Sequence, residues 1–228
     1  MISLNKLAKE AFISTLPVLT GYLVLGIGFG IIIKTNGYST FLAFMMSLTI
    51  YAGSMQYVSI SLLASSASLI TVALTTLMVN ARHLFYGISM LEKYKDIDYR
   101  KPYLIFTLTD ETYSLLCNDN KTRTTKEKNT YYFLVSFFDH IYWVTGSVIG
   151  AIMGSFITFS TEGIEFALTA LFVTVFVEQW LSTKDHIPAI LGVVISIVCL
   201  IIFKASSFLI PTMIVITISL FVYKKVGN

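Results

Sequence analysis

The sequence predicts an all-α integral membrane protein with about seven transmembrane helices plus a short or re-entrant helix. Three observations carry that expectation. Of the 228 residues, 55% are hydrophobic and 13% charged, with a mean hydropathy of +0.76, whereas a soluble domain is about 25% charged. Apolar runs recur at lengths near the roughly twenty residues that cross a bilayer. The polar stretches between them, 92–101 and 118–129, are only loop-sized, so the chain reads as a single polytopic membrane domain, 1–228.

The first span is expected over about 11–33, with Pro17 near its start and Gly21, Gly26, Gly28 and Gly30 along it. Gly26 and Gly30 form a GxxxG, which lets another backbone approach closely. Those glycines either pack the helix, inside the chain or against another subunit, or thin it beside a solute path. Between Lys34 and Arg82 there is no Lys, Arg, Asp or Glu. The second span, about 39–63, is interrupted at Gly53-Ser54, just before Met55 and Gln56. A helix broken at mid-membrane frees backbone groups that can bind a small solute. The third, about 66–90, carries Asn80, Arg82, His83 and Tyr86. Read as one helix, it puts Arg82 and Tyr86 on one face and Val79, Asn80 and His83 on another. Arg82 then lies roughly 24 Å along the span, facing a cavity or snorkelling to the far interface.

Segment 102–117 is apolar but short, and Thr109-Asp110-Glu111-Thr112 interrupts it. If it crosses, the better orientation puts about nine basic residues inside against six outside. If it enters and returns, with the N-terminus outside, the bias becomes about twelve against three, which favours re-entry. Further spans are expected over about 130–157, 163–181, 187–203 and 206–223. Asp139 and His140 lie in the first of these, followed by Gly146, Gly150 and Gly154; Glu178, Gln179 and Trp180 end the second, and Lys204 separates the last two. Gln56-Tyr57-Val58-Ser59 and Gln179-Trp180-Leu181-Ser182 each follow a Gly-rich span. That points to an inverted repeat of halves 11–91 and 130–203, with Gln56 and Gln179 in related places.

The same composition excludes several function classes. The net charge of +3 resides in loops between apolar runs, a pattern of cytoplasmic-leaflet contact rather than nucleic-acid binding. Cys117 and Cys199 sit apart with no CxxC and no clustered His, so neither a disulfide framework nor a metal site is expected. No GxxxxGK[ST] is present, which argues against direct ATP use, and no cofactor is expected. The apolar run after Lys6 and Lys9 continues to Ile33, too long for a cleaved signal peptide.

Ala52-Gly53-Ser54-Met55-Gln56, then Asn80-Ala81-Arg82-His83-Leu84-Phe85-Tyr86-Gly87, then Thr109-Asp110-Glu111-Thr112 resemble, in order, the AzlC-type (LIV-E class) permeases, the large subunits of bacterial branched-chain amino acid exporters. Met55 stands at the usual alanine-like position of the first motif. The resemblance implies a multi-pass protein of the bacterial cytoplasmic membrane, not an enzyme. It implies efflux of leucine, isoleucine and valine, with methionine and azaleucine as related substrates, and a small hydrophobic AzlD-type partner subunit.

A zwitterion with an apolar tail needs donors for its carboxylate, acceptors for its ammonium and a dry pocket. Backbone amides after Gly53, with Ser54 and Arg82, are candidates for the carboxylate. Gln56, Asn80 and Asp110 are candidates for the ammonium, and Tyr86 and Gln179 complete the substrate-binding set. Energy coupling needs titratable groups at membrane depth, for which Asp110, Glu111, His83 and Asp139 are the candidates, with His140 nearby. Two other classes stay open: a non-transporting scaffold or channel subunit, which would not support counterflow, and an intramembrane hydrolase using Ser54 with His83 or His140, which requires hydrogen-bond reach between them.

Overall fold

The computed structural model describes residues 3–119, 121–156, 173, 176–177, 180–181, 183 and 185–226. Among them every regular element is a helix. They fall into two compact units, Met1–Leu168 and Thr169–Asn228. The first contains α1 (Leu4–Thr35), α2 (Thr40–Thr49), α3 (Gly53–Ala64), α4 (Leu69–Val79), α5 (Ala81–Met90), α6 (Lys101–Phe106), α7 (Asp110–Cys117) and α8 (Thr125–Gly154).

Two of these, α1 and α8, are long and apolar enough to cross a membrane, and the bent pair α4 and α5 adds a third if taken as one span. At 1.5 Å per residue, α1 and α8 each run about 45 Å, beyond the ~30 Å hydrocarbon core. Helix α8 starts at Thr125, ahead of the expected 130, because Thr124 and Glu127 form a reciprocal capping box. The two long helices pack against each other through their glycines. A Cβ on Gly26 would lie 3.0 Å from Ser147 N and Trp143 O, and one on Gly146 3.0 Å from Tyr22 O. At Gly30 it would overlap Ser147 O and Ala151 N, and at Gly150 it would overlap Ile27 O. The GxxxG faces therefore serve internal packing, with backbones in direct contact. Gly26 meets Gly146, Gly30 meets Gly150 and Lys34 meets Gly154, so residue numbers rise together and the helices run parallel.

Helices α2 and α3 form a hairpin instead of the expected single span over 39–63. Tyr51 in the connecting turn adopts a left-handed φ of 45°, which reverses the chain. Ser47 and Gln56, nine positions apart, are joined at 3.0 Å, a contact impossible along one straight helix of 1.5 Å rise. Gly53 lies against Trp143, and Tyr57 then donates to Leu25 O at 2.6 Å, so α3 climbs back toward the C-terminal end of α1. The break expected at Gly53-Ser54 falls just before it, at 50–52, and Gly53 opens α3.

Helices α6 and α7 form a second hairpin, entering from the opposite end. Arg100 reaches Thr130 at 3.2 Å, the turn at 107–109 lies beside Tyr22 and α8, and Lys93 then binds Leu116 O and Cys117 O at 2.8 and 2.7 Å. Leu104 and Leu116 are both buried in one cluster with Leu7, Ala11, Met90 and Tyr131. Segment 102–117 thus doubles back as a helical hairpin. The tips of the two hairpins meet where Tyr51 packs on Phe106 and His140, with ring centroids 6.2 and 4.4 Å apart.

Helices α4 and α5 connect the ends, bent by 50° at Asn80, where a continuous helix was expected. Asn80 terminates one helix and begins the next, so it does not share a helical face with His83 in the expected way. With only this pair running from end to end between α1 and α8, the two long helices must be parallel, as observed. The arrangement with the N-terminus on the side opposite the basic loops is therefore overturned. Glu10 pairs with Lys121 and Arg123, both at 2.6 Å, so the N-terminal end of α1 lies beside loop 118–124. Equally, halves 11–91 and 130–203 begin with helices of the same direction, contrary to an inverted pairing of those two; the opposed elements are the hairpins.

In the second unit, α9 (Ile187–Ser207) and α10 (Leu209–Val226) are antiparallel, Tyr223 Oη lying 2.9 Å from Asp185 Oδ2. The helix break falls at Phe208, so Lys204 lies inside α9 rather than between the two spans. Most of the expected span 163–181, with Glu178 and Gln179, lies outside the described residues.

Candidate functional site

Three helix N-termini converge at the hairpin tips. Ser54 is in the first turn of α3, Arg82 in that of α5, and Asp110 opens α7. The guanidinium of Arg82 donates to the Asp110 carboxylate through Nη1 and to Ser54 Oγ through Nη2, the latter at 2.8 Å. Residues far apart in sequence are thereby tied at one point between both hairpins and the bent crossing. The side chains of Arg82 and Asp110 are 35% and 25% exposed. Arg82 Nε and Asn80 Oδ1 are enclosed without partners, and α3 begins with no side-chain cap. Unsatisfied polar groups at a helix start are what an anionic or zwitterionic solute would satisfy.

The other sequence candidates divide. Gln56 is fully buried, but its amide is committed: Nε2 donates to Ser47 Oγ at 3.0 Å and Oε1 accepts from Trp143 Nε1 at 2.8 Å. It fixes the first hairpin against α8. Tyr86 stacks on Tyr113 at 4.7 Å and packs edge-on against His83, beside Arg82 rather than bonded to it. His83 Nδ1 lies 3.1 Å from Asn80 O, across the bend. Gln179 lies outside the described residues.

Glu111 and Asp139 belong to a second cluster behind the first. Tyr22 Oη lies 2.7 Å from Glu111 Oε2 and 2.6 Å from Thr109 Oγ1; Thr109 Oγ1 lies 3.2 Å from Thr112 Oγ1, which reaches Asp139 Oδ2 at 2.7 Å. Asp139 is fully buried and its Oδ1 has no partner. Thr109 also caps α7, accepting from Thr112 N. Sequence reasoning missed Tyr22, Trp143 and Ser47. Their signal was polar atoms inside apolar spans, which must find partners there.

Ser54 has no imidazole in hydrogen-bond reach among the described residues: His83 faces Asn80, and His140 Nδ1 lies 3.1 Å from Tyr103 Oη. The nucleophile and base of a hydrolase are not assembled. The second unit contains an open cavity of about 550 Å³ lined by Trp180, His186, Gly192, Ser196 and Ile216 among others, none of them a sequence candidate.

The family model described as AzlC protein matches residues 17–157. A Bacillus subtilis protein named branched-chain amino acid transport protein AzlC is 42% identical over 217 residues, covering 95% of this chain and 85% of the relative. A Helicobacter pylori membrane protein is 41% identical over 220 residues, covering 96% of both. The Escherichia coli inner membrane protein YgaZ is 30% identical over 166 residues, covering 70% of this chain and 68% of the relative. No solved structure matches the chain.

Proposed function

The chain belongs to the AzlC family of membrane proteins, and on that premise we propose that it is a secondary transporter exporting leucine, isoleucine and valine across the bacterial cytoplasmic membrane. Methionine and azaleucine are related substrates, the proton gradient drives the flux, and a small AzlD-type membrane subunit completes the carrier. One observation carries the reading. Arg82, Ser54 and Asp110 meet where two opposed hairpins and a bent crossing break at once, the kind of place where discontinuous helices bind small solutes. The substrate carboxylate would lie on Arg82, Ser54 and the free amides that open α3. Its ammonium would face Asp110 and Asn80, and its apolar tail would lie against Tyr86. Glu111, Asp139 and His83 are proposed for proton coupling. The name of the Bacillus subtilis relative supports the substrate class.

For topology, we read α1, the α4–α5 pair and α8 as crossings and both hairpins as re-entrant, which lowers the expected count of seven by one if every later span crosses. Lys93, Lys95, Arg100, Lys101, Arg123, Lys126 and Lys128 then lie at the same end as the N-terminus, which the positive-inside rule makes cytoplasmic. The test is reconstitution into liposomes with and without the small subunit. Labelled leucine should exchange against internal unlabelled leucine, and an imposed proton gradient should drive net flux. Arg82→Gln should abolish both. A protein that conducts leucine without counterflow, or moves none of these amino acids with its partner present, would refute the proposal in favour of a channel or scaffold.

A further inference from the structure

Glu111 and Asp139 stand on different helices, yet an unbroken series of hydroxyls joins them: Glu111, Tyr22, Thr109, Thr112, Asp139, with successive oxygens 2.7, 2.6, 3.2 and 2.7 Å apart. Each of these four links needs one hydrogen. The three hydroxyls supply three, because a Tyr or Thr oxygen carries a single proton to donate while accepting up to two. With both carboxylates ionised, one of the four links would set two lone pairs face to face. The described residues bring no cation within bonding distance of either carboxylate, since Arg82 is engaged by Asp110 and Ser54. One added proton completes the series.

That proton has two equivalent seats. On Glu111, the carboxyl donates to Tyr22, Tyr22 to Thr109, Thr109 to Thr112 and Thr112 to the Asp139 carboxylate. On Asp139, every bond reverses and Tyr22 donates to the Glu111 carboxylate. We infer that Glu111 and Asp139 hold one proton between them and pass it through the hydroxyls of Tyr22, Thr109 and Thr112, each oxygen giving up one proton as it takes another. No net charge moves through the hydroxyls except that proton, and no other reactant is required. The placement joins α1, the tip of the second hairpin and α8, so a shift of that hairpin makes or breaks the relay. Other titratable groups around it are Asp110 and its partner Arg82 beside Glu111, Tyr86 on α5, and Tyr51, Tyr103, His140 and Tyr142 toward Asp139. Tyr51 Oη and His140 Nε2 are buried without partners.

The use of this proton in transport rests on the function proposed above; the sharing itself does not. Infrared difference spectra of the full chain in lipid bilayers read it directly. Wild type should show, at neutral pH, a carboxylic-acid carbonyl band equal to one group. Glu111→Gln and Asp139→Asn should each remove the whole band, because either amide supplies the fourth donor and leaves the other carboxyl ionised. Thr112→Val cuts the series and should split the single titration of the band into two steps, and Thr112→Ser should restore it. A band that survives in either amide variant, or no band in wild type, overturns the relay. Leucine flux measured in the same bilayers separates the two ideas. The band pattern without proton-driven flux leaves the relay and removes the transport reading, whereas proton-driven flux without the pattern does the reverse.

Discussion

Replacing Gly30 by alanine tests the parallel α1–α8 interface most sharply, with Gly21→Ala as its control on the same helix. A Cβ at position 30 overlaps the backbone of Ser147 and Ala151, and backbone on a packed helix cannot turn aside. The helices must separate, which also loosens the neighbouring contacts at Gly26 and Gly150. Overpacking of this kind costs about 1–3 kcal/mol, and loss of close backbone packing pushes it to the upper end. Exchanging glycine for alanine in a helix interior returns up to about 1 kcal/mol, leaving a net loss of about 2 kcal/mol. At Gly21 nothing lies within 4 Å of the added carbon, so only the propensity gain of about 1 kcal/mol applies. At Gly26, where the nearest backbone atoms stand at 3.0 Å, a shift of a few tenths of an ångström suffices and the effects nearly cancel. For a chain of this size, 3 kcal/mol between the extremes is about 10 °C in Tm. Thermal unfolding in one detergent at one scan rate measures it. Equal Tm values for Gly21→Ala and Gly30→Ala would mean that the two helices do not meet through these glycines.

Two further substitutions probe single contacts. Gln56→Leu should leave Trp143 Nε1 and Ser47 Oγ buried without the partners they have now, at about 1–3 kcal/mol for each group left unsatisfied; a lower Tm with an altered Trp143 emission spectrum is the expected result, and an unchanged spectrum would contradict it. At the ion cluster of loop 118–124, the Glu10 carboxylate holds the Lys121 ammonium above its usual range by hydrogen bonding, but Lys121 is exposed, whereas the Arg123 side chain is 3% exposed, stacks 3.9 Å over Tyr131 and also binds Asp119. Lys121→Ala should therefore leave Tm unchanged while Arg123→Ala lowers it, and equal effects would show that the cluster is uniformly solvated.

Much of this was legible because the bilayer leaves few choices for apolar sequence. The long runs around Gly26 and Gly146 contain α1 and α8, and the charge-free stretch between Lys34 and Arg82 contains the three apolar helices α2, α3 and α4. The motif residues Ser54, Arg82 and Asp110, chosen as polar atoms in oil, come together at one point. Direction was not legible. A hydropathy run of about 25 residues reads the same whether it crosses or doubles back, and only the left-handed Tyr51 and the Ser47–Gln56 contact distinguish the two for 39–63. That one reversal changes the parity of everything after it, so that α1 and α8 share one direction and the start of α1 lies beside loop 118–124. For 102–117 the short length and the carboxylates at its centre favour a segment that doubles back, as the α6–α7 hairpin does. The bend at Asn80 had a local signal, a poor helix former that suits helix ends, set against a hydrophobic pattern that runs straight through it.

The charges at the hairpin tips bear on how binding and movement are linked. Asp110 and Glu111 sit in the first turn of α7, where a helix dipole favours anions. Arg82 sits in the first turn of α5, where the same dipole disfavours a cation, and it faces the uncapped start of α3 as well. Arg82 is therefore tolerable there only with an anion against it, and Asp110, borne by the opposite hairpin, is that anion in this structure. If α7 withdraws, Arg82 is left among positive helix ends and its demand for a carboxylate is greatest at that moment. On the function proposed above, a zwitterionic solute would answer it with its own carboxylate while its ammonium took up the freed Asp110. Because Asp110 and Glu111 are adjacent, a withdrawal that exposed Arg82 would also pull Glu111 from Tyr22, so on the proposed function occupation of the tip and integrity of the hydroxyl series would be alternatives governed by one hairpin.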